Sequence, residues 1–135
     1  MEMAKEMKEA VCMVAQIAGG FDAEIKINEK RMKESVKHVL PDGTEILLEK
    51  ERWVAPEVLF NSERVGKAII GVHEMLISSI SKADIDLRAS LHGDIYISGA
   101  GSKLPGFSTR ILNEVKKQNL DNIPVIVLVN MNRLR

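Results

Sequence analysis

The stretch SGAGSKLPGF, residues 98–107, constrains this chain more than any other. It lies between a short apolar run, DIYI, and an amphipathic run, FSTRILNEV. A strand passes that abruptly into a helix only if the connecting backbone takes conformations closed to most side chains, and Gly99, Gly101 and Gly106 supply that freedom. Pro105 sits where a residue without an N–H is tolerated, in the first turn of a helix running to about Gln118. The residues alone leave two readings open. One is a tight βα turn and nothing more. In the other, backbone is left bare so that a ligand can approach it, with unpaired N–H groups at the helix start beyond. A P-loop is excluded, because no Gly-Lys-Ser/Thr follows.

Around this turn the second half of the chain reads as an α/β layer. Ile69, Val72, Leu76 and Ile80 recur at helical spacing. Asp84 is placed to cap a short helix, DLRASL, with Asp86 near its positive end. Residues 94–97 read as a short buried strand, and PVIVLV, residues 124–129, as a central one. The order helix, helix, strand, helix, strand gives the layer.

The first half is more mixed. Met3, Met7, Ala10, Val14 and Ile17 step by four and three, which predicts one helix ended by Gly19-Gly20. Residues 21–34 are polar and aperiodic, a short helix or a mobile connector, and on that ground residues 1–66 are expected to be the less stable part of the chain. In VKHVLPDGTEILL two β-prone runs flank Pro41-Asp42-Gly43, which predicts a hairpin, since proline presets φ and glycine accepts positive φ. A short strand is expected at residues 52–54, then a helical turn from Pro56 through Leu59, then a polar surface loop over residues 61–66.

Bulk properties exclude several classes. A chain of 135 residues with 45% hydrophobic content supports one core. Nineteen basic residues balance nineteen acidic ones without a basic stripe, which argues against direct nucleic-acid binding. No run of about 18 apolar residues is present to span a membrane, and MEMAKEMKEA is neither a signal nor a transit peptide. The single cysteine, Cys12, suits a reducing compartment and reads as packing. His73-Glu74 lacks the second histidine of a zinc helix, and His38, His73 and His92 fall on separate elements, so structural or surface roles are expected of all three. Asp84 and Asp86 read as helix-end residues, not as an acid–base pair.

Several stretches in one order resemble actin and the actin-related proteins. KEMKEAVCMVA is similar to the actin helix that reaches the nucleotide cleft. LPDGTEILLEKERWVAPEVLF resembles the hairpin and "CPE-L-F" segment, and GVHEMLISSISKADIDLRASL the two helices that follow. DIYISGAGSKLPGFSTRILNEV resembles the strand, adenosine-binding turn and helix. The resemblance covers nearly the whole chain. It implies an α/β fragment of the fold shared by actin and Hsp70-like ATPases, a helix-plus-hairpin lobe followed by a βα layer. Residues 1–66 would match part of the fourth subdomain of actin and residues 67–135 part of the third, stopping before the "WIGG" strand.

The same resemblance implies ATP or ADP with Mg²⁺ or Ca²⁺ in a full-length parent. Of the parts that hold the nucleotide, only the adenosine side is represented here. Lys8 and Glu9 match the pair lying along adenine and ribose. Gly99, Ala100, Gly101, Lys103 and Leu104 match the turn, which ends at Pro105-Gly106. Nothing resembles the two phosphate-binding hairpins, so no ATP hydrolysis is expected. Ala100 stands where actin has a second glycine, Lys103 and Leu104 where it has Met-Tyr, and Leu134 where it has a lysine near the base. Tight ATP binding is therefore not expected of the chain. Ser62, Glu63, Arg64 and Val65 replace the apolar plug of filament-forming actins. Burial worth roughly 1.5–3 kcal/mol per large apolar side chain is thereby missing. The implied role is that of a structural subunit with protein partners, actin or other complex members, and self-association of the chain. Its setting would be the cytoplasmic cytoskeleton, with nuclear chromatin-remodelling complexes the alternative. An ATP-dependent, filament-forming actin is the competing reading.

Overall fold

The computed structural model describes residues 8, 10–66, 69–118 and 124–129. Of the helical face expected from Met3 to Ile17, Met3 and Met7 lie outside the described residues. Helix is described at Lys8, Ala10 and Val11, and the last helical bond runs from the Cys12 N–H to Lys8 O at 3.1 Å. From Met13 the chain is irregular, so the single helix to Gly19 predicted by spacing is not formed. The reason lies in another element. Pro56 sits inside a helix and has no N–H, which strips the carbonyl four residues back of its partner. That carbonyl is Arg52 O, and the Met13 N–H bonds it at 2.9 Å. Val14 N–H then bonds Pro105 O at 2.8 Å. The carbonyls of Arg52 and Pro105 thus draw residues 13 and 14 out of helical geometry, while Val14 keeps its place in the core.

Residues 21–34 form two single-turn helices, α1 (Phe21–Glu24) and α2 (Glu29–Met32), which bury Phe21 and Met32. The hairpin is as predicted. Strands β1 (Val36–Val39) and β2 (Glu45–Leu48) pair antiparallel with Val36 opposite Leu48. Gly43 takes φ +90°, and Asp42 Oδ1 accepts the Thr44 N–H at 2.9 Å. The strand expected at residues 52–54 is instead part of helix α3 (Glu51–Glu57). Trp53, Pro56 and Glu57 fall at spacings of three and four on its buried face. Helical geometry lets Trp53 enter a cluster with Ala15, Phe21 and Met32, which a three-residue strand would not.

The second half holds α4 (Val72–Ser81), α5 (Ile85–His92), β3 (Ile95–Ile97), α6 (Phe107–Gln118) and β4 (Val127–Val129). Ile69 precedes α4 and is 59% exposed, so the apolar face begins at Val72. Asp84 occupies the N-cap of α5 without a side-chain capping bond, and Asp86 lies in the first turn. Strands β3 and β4 pair in parallel, Ile95 with Val127 and Ile97 with Val129. Ile95, Ile97 and Val127 face a core shared with Val14, Phe60, Ile80, Ile111 and Val115. PVIVLV is no central strand within the described residues. Only its last three residues form a ladder, and the opposite face carries Tyr96 and Leu128 side by side, 63% and 48% exposed.

Candidate functional site

The turn after β3 is built as a cradle of backbone. Gly99 takes φ +103°, and nothing lies within 4 Å of where its Cβ would be, so its open side is free for close approach. Residues Ala100–Lys103 form one 3₁₀ turn. Ser102, buried, fastens it: its Oγ donates to Gly99 O at 2.6 Å, and its N–H reaches the same carbonyl at 3.2 Å. Lys103 is exposed, whereas Leu104 packs against the main apolar core. At the far end Gly106 takes φ +88° and seats its Cα against Val14 O, where a Cβ has no room. The Val14 N–H to Pro105 O bond completes the tie.

Of the expected Lys8–Glu9 pair, Glu9 lies outside the described residues, as does Leu134. Lys8 is exposed and lines a pocket of about 310 Å³ with Val11, Cys12, Leu48, Glu51, Arg52 and Ala55, none of which belongs to the turn. The turn and the N-terminal segment meet at Val14, not at Lys8. Cys12 is half-buried in that pocket, and desolvation raises its thiol pKa against the opposing pull of Arg52 and Lys8. This leaves it protonated and a poor nucleophile.

A second constellation escaped the sequence reading. Arg110 and Glu114 sit on the buried face of α6 together with Phe107, Ile111 and Val115. Arg110 is 3% exposed; its Nη1 donates to Glu57 Oε2 at 2.8 Å and to Ala15 O at 3.2 Å. Its guanidinium lies 4.3 Å from the Phe60 ring centroid. Glu114 Oε1 accepts the Gly19 N–H at 2.7 Å and faces Arg110 Nε at 3.4 Å, while its Oε2 lies 3.1 Å from His73 Nε2. Glu57 accepts the Phe21 N–H at 3.1 Å, Glu24 the Gln16 N–H at 2.7 Å, and Asn113 donates to Gln16 O at 2.7 Å. From Ala15 to Phe21 most backbone partners are therefore side chains of α1, α3 and α6. A signal did exist: in FSTRILNEV the arginine and glutamate interrupt an otherwise apolar stripe at positions three and seven after Phe107.

The order of elements, the open glycine turn and the hairpin can now be set beside known proteins. A family model described as actin matches residues 1–133. The chain belongs to the actin family. It is 38% identical over 115 residues to a protein named centractin from Schizosaccharomyces pombe, covering 85% of this chain and 30% of that one. It is 35% identical over 116 residues to an actin-like protein of Neurospora crassa, covering 86% and 30%. The chain thus spans under a third of the length of these relatives. Its helices and small sheets fit an α/β part of the actin-like fold.

Actin-family proteins generally hold a nucleotide with a divalent cation. The backbone at Gly99 is open on the side where a Cβ would stand. Among the described residues no three His, Cys, Asp or Glu side chains are placed to hold a metal ion, so no chemistry is assigned to a cation in this chain.

Proposed function

We propose that this chain acts as part of an actin-related structural subunit, offering adenosine a backbone platform but performing no hydrolysis. One observation carries the reading. The loop at residues 61–66 closes as a 3₁₀ turn, and it carries Ser62 and Glu63 where filament-forming actins begin an apolar plug. Asn61 Oδ1 accepts the Glu63 N–H at 3.2 Å, Ser62 is buried and accepts the Ile69 N–H at 3.2 Å, and Gly66 closes the 3₁₀ turn at φ +72°. That favours assembly through protein partners of a larger complex over a filament-forming actin. The names of the relatives support a cytoskeletal setting. No helix among the described residues is long and apolar enough to cross a membrane.

Nucleotide binding is proposed to be weak. The turn from Gly99 to Gly106 can make a few hydrogen bonds worth about 1 kcal/mol each. These oppose a loss of ligand freedom of several kcal/mol. The balance gives a dissociation constant on the order of millimolar or weaker. Calorimetry with ATP and Mg²⁺ tests this, and micromolar affinity abolished by Ser102→Ala would overturn it. Self-association is the other expected property, because parallel sheets are normally covered on both faces. Sedimentation should show a concentration-dependent rise in mass that Leu128→Lys reduces. A strict monomer at millimolar concentration would exclude it.

A further inference from the structure

We propose that Asp42-Gly43 is a site of slow covalent modification, where the main chain is rerouted through the Asp42 side chain to give isoaspartate, and that the closed hairpin restrains it. Of the nine glycines in the chain, only Gly43 follows an aspartate or asparagine. That order matters because the reaction begins when the backbone nitrogen of the following residue attacks the carboxyl carbon. A Cβ on that residue crowds the attack, and glycine has none. Asp22, Asp84, Asp86 and Asp94 precede Ala23, Ile85, Leu87 and Ile95. The site is also open: Asp42 is exposed, and nothing lies within 4 Å of where a Gly43 Cβ would stand.

The steps need no reagent but water. The Gly43 nitrogen forms a bond to Asp42 Cγ and gives up its hydrogen, while the carboxyl group gives up its hydroxyl. One water departs, leaving a cyclic succinimide. A second water then opens the ring. Addition at Cγ restores aspartate. Addition at the Asp42 main-chain carbonyl leaves the chain running through Cβ and Cγ, with a free carboxylate on Cα.

Two hydrogen bonds oppose the first step. The Gly43 N–H donates to Leu40 O at 2.9 Å, which ties the attacking nitrogen into the turn. The Thr44 N–H donates to Asp42 Oδ1 at 2.9 Å, which fixes the carboxyl group and favours its charged form, the form with no hydroxyl to lose. Modification therefore runs through molecules whose hairpin has opened locally. Its product then keeps the hairpin from closing as before. The extra main-chain carbon falls inside the turn that the Leu40 N–H closes on Thr44 O at 2.8 Å, next to the pair Val39 and Glu45. No third strand pairs with β1 or β2 among the described residues, so the turn sets their register.

The test is to age the full chain for weeks at neutral pH, folded and in guanidinium chloride, and to locate isoaspartate by digestion and electron-transfer fragmentation. Isoaspartate should accumulate at Asp42 ahead of every other aspartate, and severalfold faster in the unfolded sample. In denaturant, where strain in the turn plays no part, Gly43→Ala should slow it on the order of tenfold. The aged chain, separated from the unmodified one, should lose exchange protection at the Leu40 and Thr44 amides while those of α6 keep theirs. Isoaspartate appearing first at another aspartate, or an unchanged rate in Gly43→Ala, would overturn the site. Equal rates in the folded and unfolded chain would overturn the restraint by the hairpin, and full protection of Leu40 and Thr44 in the modified chain would overturn its effect on closure.

Discussion

Residues 13–24 and residues 95–129 solve the same problem by different means. Both must satisfy backbone groups beside an apolar core. In the second region Ile95–Ile97 and Val127–Val129 pair in a ladder and α6 bonds internally. In the first, most partners of the irregular stretch come from side chains: Glu24, Glu57, Glu114, Arg110 and Asn113. A ladder distributes its energy over many equivalent bonds, so losing one costs little. A clamp of buried charges concentrates it, because each member left alone becomes an uncompensated charge.

The sharpest way to break the comparison is Arg110→Ala. It strands Glu57 and Glu114 without their cation, and a loss of about 3–5 kcal/mol is expected. Urea unfolding measures it. Hydrogen exchange should show amides of residues 16–21 opening well before those of α6, as expected if residues 1–66 are the less stable part of the chain. Uniform protection across both regions would show that clamp and ladder are equivalent after all.

Next in size is a pair of glycine substitutions. Gly106→Ala forces a Cβ into the Val14 backbone at φ +88°, whereas Gly43→Ala at φ +90° meets nothing. Left-handed strain alone costs about 1–2 kcal/mol. Gly43→Ala should lose about that much, and Gly106→Ala clearly more, because backbone on both sides has to shift. Equal midpoint changes in thermal unfolding would mean that the Val14 contact gives way freely.

This contrast also explains how much was legible in the sequence. The hairpin, α6 and the strand–turn–helix around Gly99 were readable because local chemistry decides them: Asp42-Gly43 needs no distant partner, and the stripe from Phe107 to Val115 has one period. The extent of the first helix was not readable. Val14 and Ile17 sit at helical spacing, yet Pro56, some forty positions on, frees the carbonyl that Met13 takes. The three residues from Arg52 to Val54 read locally as a strand, and only the cluster that Trp53 shares with Met32, twenty-one positions away, favours the helix. At the candidate site, the glycines announced an open turn, but nothing local said that Leu104 would join the core. The buried charges were missed for the same reason. Arg110, Glu57 and His73 are far apart in sequence, and charge on a helix is ordinarily solvent-facing.

The smallest effect tests whether exposed, purely local bonding behaves like neither region. Asp42 is fully exposed, and the Thr44 N–H, bonded at 2.9 Å, holds its carboxyl below the usual value of 3.8. A group whose pKa is lower in the folded than in the unfolded chain stabilises the fold when pH lies above the unfolded value. That contribution is lost as pH falls through the folded one. The loss should therefore begin near pH 4 and finish below it, and Asp42→Asn should flatten it. Because water competes fully at this site, the effect on global unfolding should be close to the limit of measurement. The hairpin amides report it better. Exchange at Leu40 and Thr44 should quicken on acidification in the wild-type chain after correction for intrinsic rates, while amides of residues 16–21 keep their protection over the same interval. A simultaneous loss at both places would mean that the hairpin and the charged clamp open as one unit.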